Sequence, residues 1–240
     1  MRILISNDDG VEASQLVSLI RHCRKYGEVT AVVPKFEQSG KSHSIEIRSP
    51  FEIKQVQLAP DVTVWTVDST PADCVRFAVS GLKQIYDLCI SGINRGYNLG
   101  YDVMYSGTFA AASEAVNKGI PALAVSTSIK YYDQAVSQLD GILQYVEQNK
   151  LFDKNPLYNV NIPVDPIGIR IARQGGLSFR EEFLPIGNDQ YMPSGCPQSS
   201  DGSDLTMDTD ACKRGFISVS PMAVTRMNWE VYRELEHLND

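Results

Sequence analysis

Apolar residues along this chain follow two alternating rhythms. Arg2–Ser6 is a short apolar run closed by the polar turn Asn7-Asp8-Asp9-Gly10, which predicts a buried strand. Leu16, Leu19, Ile20 and Cys23 then recur at i, i+3, i+4 and i+7, the stripe of an amphipathic helix, with Gly27 as its stop. Val29–Val33 is a second buried strand ended by Pro34. Strand, helix and strand in this order make a βαβ unit, whose crossover is right-handed in nearly all cases. The rhythm continues with a strand at Val62–Val67, then a helix capped by Ser69 or Thr70 with Pro71 in its first turn and a Val75, Ala78, Val79, Leu82 stripe. Further strands are predicted at Tyr86–Ser91, Ile120–Ser126 and Leu157–Ile162, and further helices at Thr108–Lys118 and around Leu139, Ile142, Leu143 and Val146.

Two stretches break the rhythm before residue 163. Lys35–Ser49 lacks periodicity and reads as a long loop at a strand end, and Gly92–Gly107 reads as a glycine-rich loop. Past Pro163 the grammar itself changes. Ile169–Arg173, Leu177–Leu184 and Phe216–Ser220 read as strands, Gly195–Gly215 as a polar, turn-rich mobile excursion, and Glu230–Leu238 as a terminal helix. The pattern therefore predicts an α/β core over residues 1–163 and a β-rich extension over residues 164–240.

Charge and composition narrow the function. Of 240 residues, 29 are acidic and 22 are Lys or Arg, for a net charge of −7, with no basic run to grip duplex nucleic acid. An anionic substrate must be held against that charge, which favours a bound cation or a nest of amides. Five cysteines, odd in number and never in C-x-x-C spacing, fit a reducing cytoplasm better than a disulfide scaffold or a zinc ribbon. The chain opens on a strand pattern, unlike a signal peptide, and no apolar run is long enough to span a membrane.

The candidate chemistry gathers at strand ends, the edge where open α/β sheets bind ligands. Asp8 and Asp9 repel each other unless a cation lies between them, and oxygen ligation suits Mg²⁺ or Mn²⁺; the plainer reading is a turn in which Asp9 only caps a helix. Ser91-Gly92-Ile93-Asn94-Arg95-Gly96-Tyr97-Asn98-Leu99-Gly100 offers asparagine oxygens and close backbone approach from the same edge. Ser106-Gly107-Thr108 leads into a helix whose free amides and hydroxyls suit phosphate, although Ser106 or Thr108 could serve as a plain N-cap. Ser39-Gly40-Lys41-Ser42 is like the tail of a phosphate loop, but the G-x-x-x-x-G-K-S/T pattern fails because residue 35 is Lys. His43 reads as a loop histidine, and Tyr97, Tyr101 and Tyr105 either stack a base or pack their loop down. The acidic cluster Asp201, Asp204, Asp208 and Asp210 lacks EF-hand spacing and reads as a solvated face.

Taken together, N-D-D-G after the first strand, the Ser39-Gly40 loop, T-P-x-D-C, S-G-I-N-x-G-x-N-L-G followed by D-V-x-Y-S-G-T, and N-V-N-I-P resemble the SurE family of metal-dependent 5′/3′-nucleotidases. The motifs match in order over residues 1–163 and again over Gly215–Met222. Ala13-Ser14 departs from the family's Ala-Pro, Ser69 from its Gly, and Gln174–Arg214 lies outside the matched motifs. The resemblance implies a Rossmann-like three-layer αβα core with a β-rich C-terminal extension exchanged between subunits of a homodimer or homotetramer. It implies hydrolysis of nucleoside monophosphates with one divalent cation per subunit. By position, Asp8, Asp9, Ser39 and Asn94 match the metal ligands, and Asn98, Ser106, Gly107 and Thr108 match the phosphate-contacting segment. Catalysis would then rest on Asp8, Asp9, Asn98, Ser106 and Thr108, with either aspartate placed to accept the proton of the attacking water. A phospho-aspartate intermediate would want D-x-D-x-T/V, and here the acids are adjacent. A receiver-like signalling module would want an Asp where the strand Tyr86–Ser91 ends in Ser-Gly-Ile-Asn, and a nucleotide- or phosphate-binding sensor without catalysis is the other alternative.

Overall fold

The structure, a computed structural model, describes residues 1–176, 179–197 and 202–239. Parallel pairing dominates one large sheet. It contains β1 (Arg2–Ser6), β2 (Glu28–Pro34), β3 (Ile53–Ala59), β4 (Val62–Val67), β5 (Leu88–Arg95), β6 (Ala122–Thr127), β7 (Leu157–Ile162), β8 (Gly168–Ile171) and β11 (Phe216–Pro221). Their spatial order is β3-β4-β2-β1-β5-β6-β7-β11-β8. Only the β3–β4 and β7–β11 pairs are antiparallel. The other two described strands, β9 (Phe179–Gly187) and β10 (Gln190–Pro197), form a separate antiparallel hairpin.

The continuous apolar runs of the central strands are explained by the two faces they serve. Ile3, Ile5, Ala31, Val33, Ile90, Leu123 and Val125 pack on one side with α1 (Leu16–Cys23) and α4 (Leu139–Gln148). Their sequence neighbours Leu4, Val32, Cys89, Ala122 and Ala124 pack on the other, with α2 (Pro71–Arg76) and α3 (Gly107–Asn117). Small residues on α3 (Ala111, Ala112 and Ala115, all fully buried) let that helix lie close to the sheet. Three layers result, and the α/β, Rossmann-like expectation holds, with the β9–β10 hairpin as its antiparallel extension.

Several elements differ from the pattern-based expectation. β3 has no counterpart in the apolar pattern because its residues are half-buried or exposed at a sheet edge, leaving a weak apolar signal. The helical stripe through Leu82 is two structures: α2 stops at Arg76 and a π-helical turn covers Phe77–Gly81. Thr70, not Ser69, caps α2 by accepting from the Asp73 N–H at 3.2 Å, while Ser69 bonds the Asp73 carboxylate. The predicted Gly92–Gly107 loop is shorter, because β5 runs on to Arg95 with a register shift against β6 between Ser91 and Asn94. The supposed excursion Gly195–Gly215 contains the end of β10 and a helix, α5 (Asp208–Lys213). The acidic cluster there is not a solvated face: Asp208 and Asp210 are buried, whereas Asp201 lies outside the described residues. The strand expected at Leu177–Leu184 begins at Phe179 as β9 and extends to Gly187; residues 177 and 178 also lie outside the described set. The terminal helix is α6 (Trp229–Leu235), continued by a 3₁₀ turn.

Candidate active site

The sheet order reverses between β1 and β5: β1 leads to β2 on one side, and β5 leads to β6 and β7 on the other. The carboxyl ends of such a pair flank the crevice where α/β sheets accept ligands. Asp8 and Asp9 follow β1, and Asn94 lies near the end of β5.

The Asn7-Asp8-Asp9-Gly10 turn is locked by its own ends. The Asn7 side chain donates to the Gly10 carbonyl at 3.0 Å and accepts the Gly10 N–H at 3.1 Å. Gly10 has φ of +81°, and a Cβ there would come within 2.9 Å of the Phe36 carbonyl carbon, so the turn requires glycine. Asp8 is driven inward to 4% exposure, while Asp9 is half-buried and accepts the Arg95 N–H at 3.1 Å. The Asp8 carbonyl accepts the Gln38 N–H at 2.7 Å, which draws the Ser39 loop over the same edge. Ser42 in turn bonds the Tyr105 carbonyl through its N–H and the Met104 carbonyl through its hydroxyl.

Asp8, Ser39, Asn94, Asn98 and Ser106 line one cavity of about 550 Å³, together with Arg95, Tyr101, Tyr105 and Arg180. Asp9 lies on the other side of Arg95, in a neighbouring cavity with Glu37 and Tyr132. Thr108 lies behind Asp8: it is fully buried and donates its hydroxyl to the Asp8 carboxylate. Gly107 is pressed against the same group, where a Cβ would fall 2.8 Å from the Asp8 Cβ. The N-terminal turn of α3 thus closes directly on Asp8. Ser106 does both jobs open to it, since it lines the cavity and caps α3 by accepting the Phe109 N–H at 3.0 Å.

The electrostatics follow from this crowding. Burial raises the Asp8 carboxyl above its ordinary range, against the opposing pull of the Thr108 hydroxyl and the amides of Thr108 and Gly107. Asp9 is pushed up to about 6 by burial and by the neighbouring charge of Asp8. Two carboxylates held this way favour a cation, and the remaining oxygens are of the matching kind. The Asn94 amide nitrogen is committed to the Gly96 carbonyl at 2.9 Å, so Oδ1 is the atom it could offer a cation, and the Ser39 hydroxyl, which donates to Glu37 at 2.7 Å, keeps its oxygen lone pairs. No three His, Cys, Asp or Glu cluster to hold a metal among the described residues, so a site here would combine two carboxylates with neutral oxygens. That donor set fits a hard divalent cation.

Three features escaped sequence reasoning. Asn98 is held on its backbone by Asn159 and Asn161, both fully buried on β7: Asn161 accepts the Asn98 N–H at 2.9 Å, and both amides donate to the Asn98 carbonyl. The N-V-N spacing is the signal, since alternate strand residues share a face. Arg180, at the base of the β9–β10 hairpin, brings a cation to the cavity wall from the extension. His43 Nε2 donates to the Glu114 carboxylate at 3.1 Å; burial pushes the Glu114 carboxyl up, yet His43, Asn117 and Lys118 together hold it below its usual range. Of the three tyrosines, Tyr101 and Tyr105 wall the cavity and Tyr97 does not.

An α/β protein with paired carboxylates and a helix N-terminus converging at the switch point is of the class that handles phosphate esters with a divalent cation. The comparisons narrow this to a family. Residues 3–181 match the family model described as "Survival protein SurE". The 5′-nucleotidase SurE of Pelotomaculum thermopropionicum is 38% identical over 99% of this chain and 95% of its own length. That of Legionella pneumophila (strain Paris) is 36% identical over 99% and 97%. The crystal structure of the SurE protein from Aquifex aeolicus superposes with a TM-score of 0.76 at 28% identity, covering both chains completely. The chain belongs to the SurE family.

Proposed function

We propose that this chain is a divalent-metal-dependent phosphomonoesterase that hydrolyses nucleoside 5′- and 3′-monophosphates to nucleoside and phosphate. The observation that carries the reading is the closure of the α3 N-terminus on Asp8 at the β1–β5 switch point, beside an open cavity. Membership of a family whose curated relatives are 5′-nucleotidases supports the same activity.

Asp8, Asp9, Ser39 and Asn94 would hold one Mg²⁺ or Mn²⁺ per subunit. Such an ion supplies positive charge against the phosphoryl oxygens and acidifies water. Asn98, Ser106, Gly107 and Thr108 receive the phosphoryl group. Hydrogen-bond donors at the start of α3 stabilise the charge that grows on its oxygens as water attacks phosphorus and the ester P–O bond breaks. Thr108 also orients Asp8, so the phosphate and metal functions share this residue. Arg95 and Arg180 offset the chain's net charge of −7 at the cavity wall.

The extension over 164–240 is the arm of a homodimer or homotetramer in this reading, supported by the apolar side chains that the hairpin leaves exposed. The cytoplasm is the compartment that five unpaired cysteines favour, four of them buried. No described helix is long and apolar enough to cross a membrane.

Phosphate release from adenosine 5′- and 3′-monophosphates, measured with Mn²⁺ or Mg²⁺ and again after chelation, tests the activity. Release that stops on chelation is expected. Tight nucleotide binding with no release under any metal would overturn catalysis in favour of a sensor.

A further inference from the structure

Asp208 opens α5, in the stretch whose composition reads as a solvated excursion, yet it is only 1% exposed. A buried carboxylate needs compensation, and here it comes from backbone amides. Oδ2 accepts the Gly100 N–H at 3.0 Å, and Oδ1 accepts those of Gly175 at 2.8 Å and Thr209 at 2.7 Å. Gly100 is 108 residues away in sequence and opens the 3₁₀ turn Gly100–Tyr105. The carbonyl of the same residue accepts from the Gln174 side chain at 2.8 Å, and the Tyr101 N–H donates to the Gly176 carbonyl at 3.3 Å. Both polar groups of Gly100 are therefore taken by residues from beyond the last core strand. The turn they hold carries Tyr101, Asp102 and Tyr105, which wall the cavity, and it ends at Ser106.

We infer that Asp208 and Gln174 form a positioning clamp on Gly100 that fixes the Gly100–Tyr105 turn and so sets nucleotide affinity at the site. This rests on the nucleotidase reading for what the cavity binds. Neither residue touches the proposed metal ligands in the structure's hydrogen bonds; they act on substrate through the turn. Asn cannot replace Asp208 fully. It keeps one acceptor oxygen but turns an NH₂ toward at least one of the three facing amides, setting donor against donor.

Steady-state kinetics on the full-length, Mn²⁺-loaded protein test the clamp. D208N and Q174A should each raise KM for adenosine 5′-monophosphate about tenfold, the effect of losing one charge-assisted or buried hydrogen bond, with kcat changed less than about threefold. Mn²⁺ affinity should stay at the parent value. Because both side chains hold the same residue, Gly100, the double variant should resemble the worse single variant rather than multiply the two losses. A purely structural role would lower melting temperature and active fraction but leave KM in place. Unchanged KM in D208N, or multiplying penalties, overturns the clamp. Should D208N fail to fold, Q174A decides alone, since its side chain is only half-buried and unchanged KM there is equally fatal. Should the parent release no phosphate, the nucleotidase reading falls by itself. Calorimetric binding of adenosine 5′-monophosphate then decides the clamp: weaker binding by both variants upholds it and equal binding overturns it.

Discussion

The carboxyl edge of the core sheet and the surface of the C-terminal extension are built on opposite terms. At the edge, Asp8 is 4% exposed and Thr108 not at all, and the Thr108 hydroxyl is committed to the Asp8 carboxylate. On the β9–β10 hairpin, Phe183 is 66% and Tyr191 61% exposed, and on α6 Trp229 is 50% exposed. One region spends burial on polar atoms; the other leaves large apolar side chains in water. The first region finds partners for Asp8 within its own chain, whereas the second leaves Phe183, Tyr191 and Trp229 open to solvent. Yet the two regions are joined, because β8 and β11 continue the core sheet and Asp208 reaches back to Gly100.

Gly107→Val should give the largest effect. The new side chain collides with Asp8 and fills the approach to the start of α3, so phosphate release should fall below detection. Activity within about tenfold of the parent would show that this helix end does not receive the phosphoryl group.

The hairpin comes next. Replacing Phe183, Ile186 and Tyr191 with Ser should convert the proposed homodimer or homotetramer to smaller species by light scattering, while far-UV circular dichroism stays at the parent signal. Truncation from Gln174 onward is a poorer experiment, since it removes β11 from between β7 and β8. An unchanged oligomer would mean that the exposed hairpin is not the contact surface.

Asp9→Asn removes one of the paired charges. Calorimetric Mn²⁺ affinity should drop by at least about a hundredfold. The metal-free protein should melt higher than the parent, because the substitution relieves the burial and Asp8 repulsion that raise Asp9 to about 6. Parent-like metal affinity would remove Asp9 from the ligand set.

Thr108→Val sharpens the boundary between phosphate and metal binding. Turnover should fall roughly ten- to a thousand-fold, because the buried hydroxyl that orients Asp8 is lost. Because the hydroxyl bonds Asp8, Mn²⁺ affinity should weaken too, by less than in Asp9→Asn. Lost turnover at unchanged metal affinity would separate the two roles.

The smallest effect is in pH. Asp9 titrates at about 6 in the folded, metal-free chain against 3.8 for the free side chain, so the folded state binds the proton more tightly. The resulting stabilisation is complete below about 3.8 and is lost as pH rises through about 6. Metal-free melting temperature should therefore fall between pH 5 and 7.5, and the increment on adding Mn²⁺ should grow over the same interval. A larger increment at pH 5 would contradict the assignment.

The sequence by itself determined the local elements and which residues are available for the proposed chemistry. β1 and α1 follow directly from apolar periodicity, because a strand buried on both faces is continuously apolar and a half-buried helix carries a stripe, whereas β7 alternates Tyr158, Val160 and Ile162 with buried Asn159 and Asn161. The N-D-D-G and S-G-T segments were legible because few residue types make a tight acidic turn or an open helix start. What required tertiary structure was every relation between distant segments. Asp9 and Asp8 are adjacent in sequence yet line different cavities, and Thr108 faces Asp8, because only the packing of α3 against β5 and β6 brings its first turn to the end of β1. Asp208 looked like a solvated acid because composition counts charges locally. Its partners at Gly100 and Gly175 are 108 and 33 residues away, and a hydrogen bond between backbone and carboxylate leaves no periodic trace in either segment.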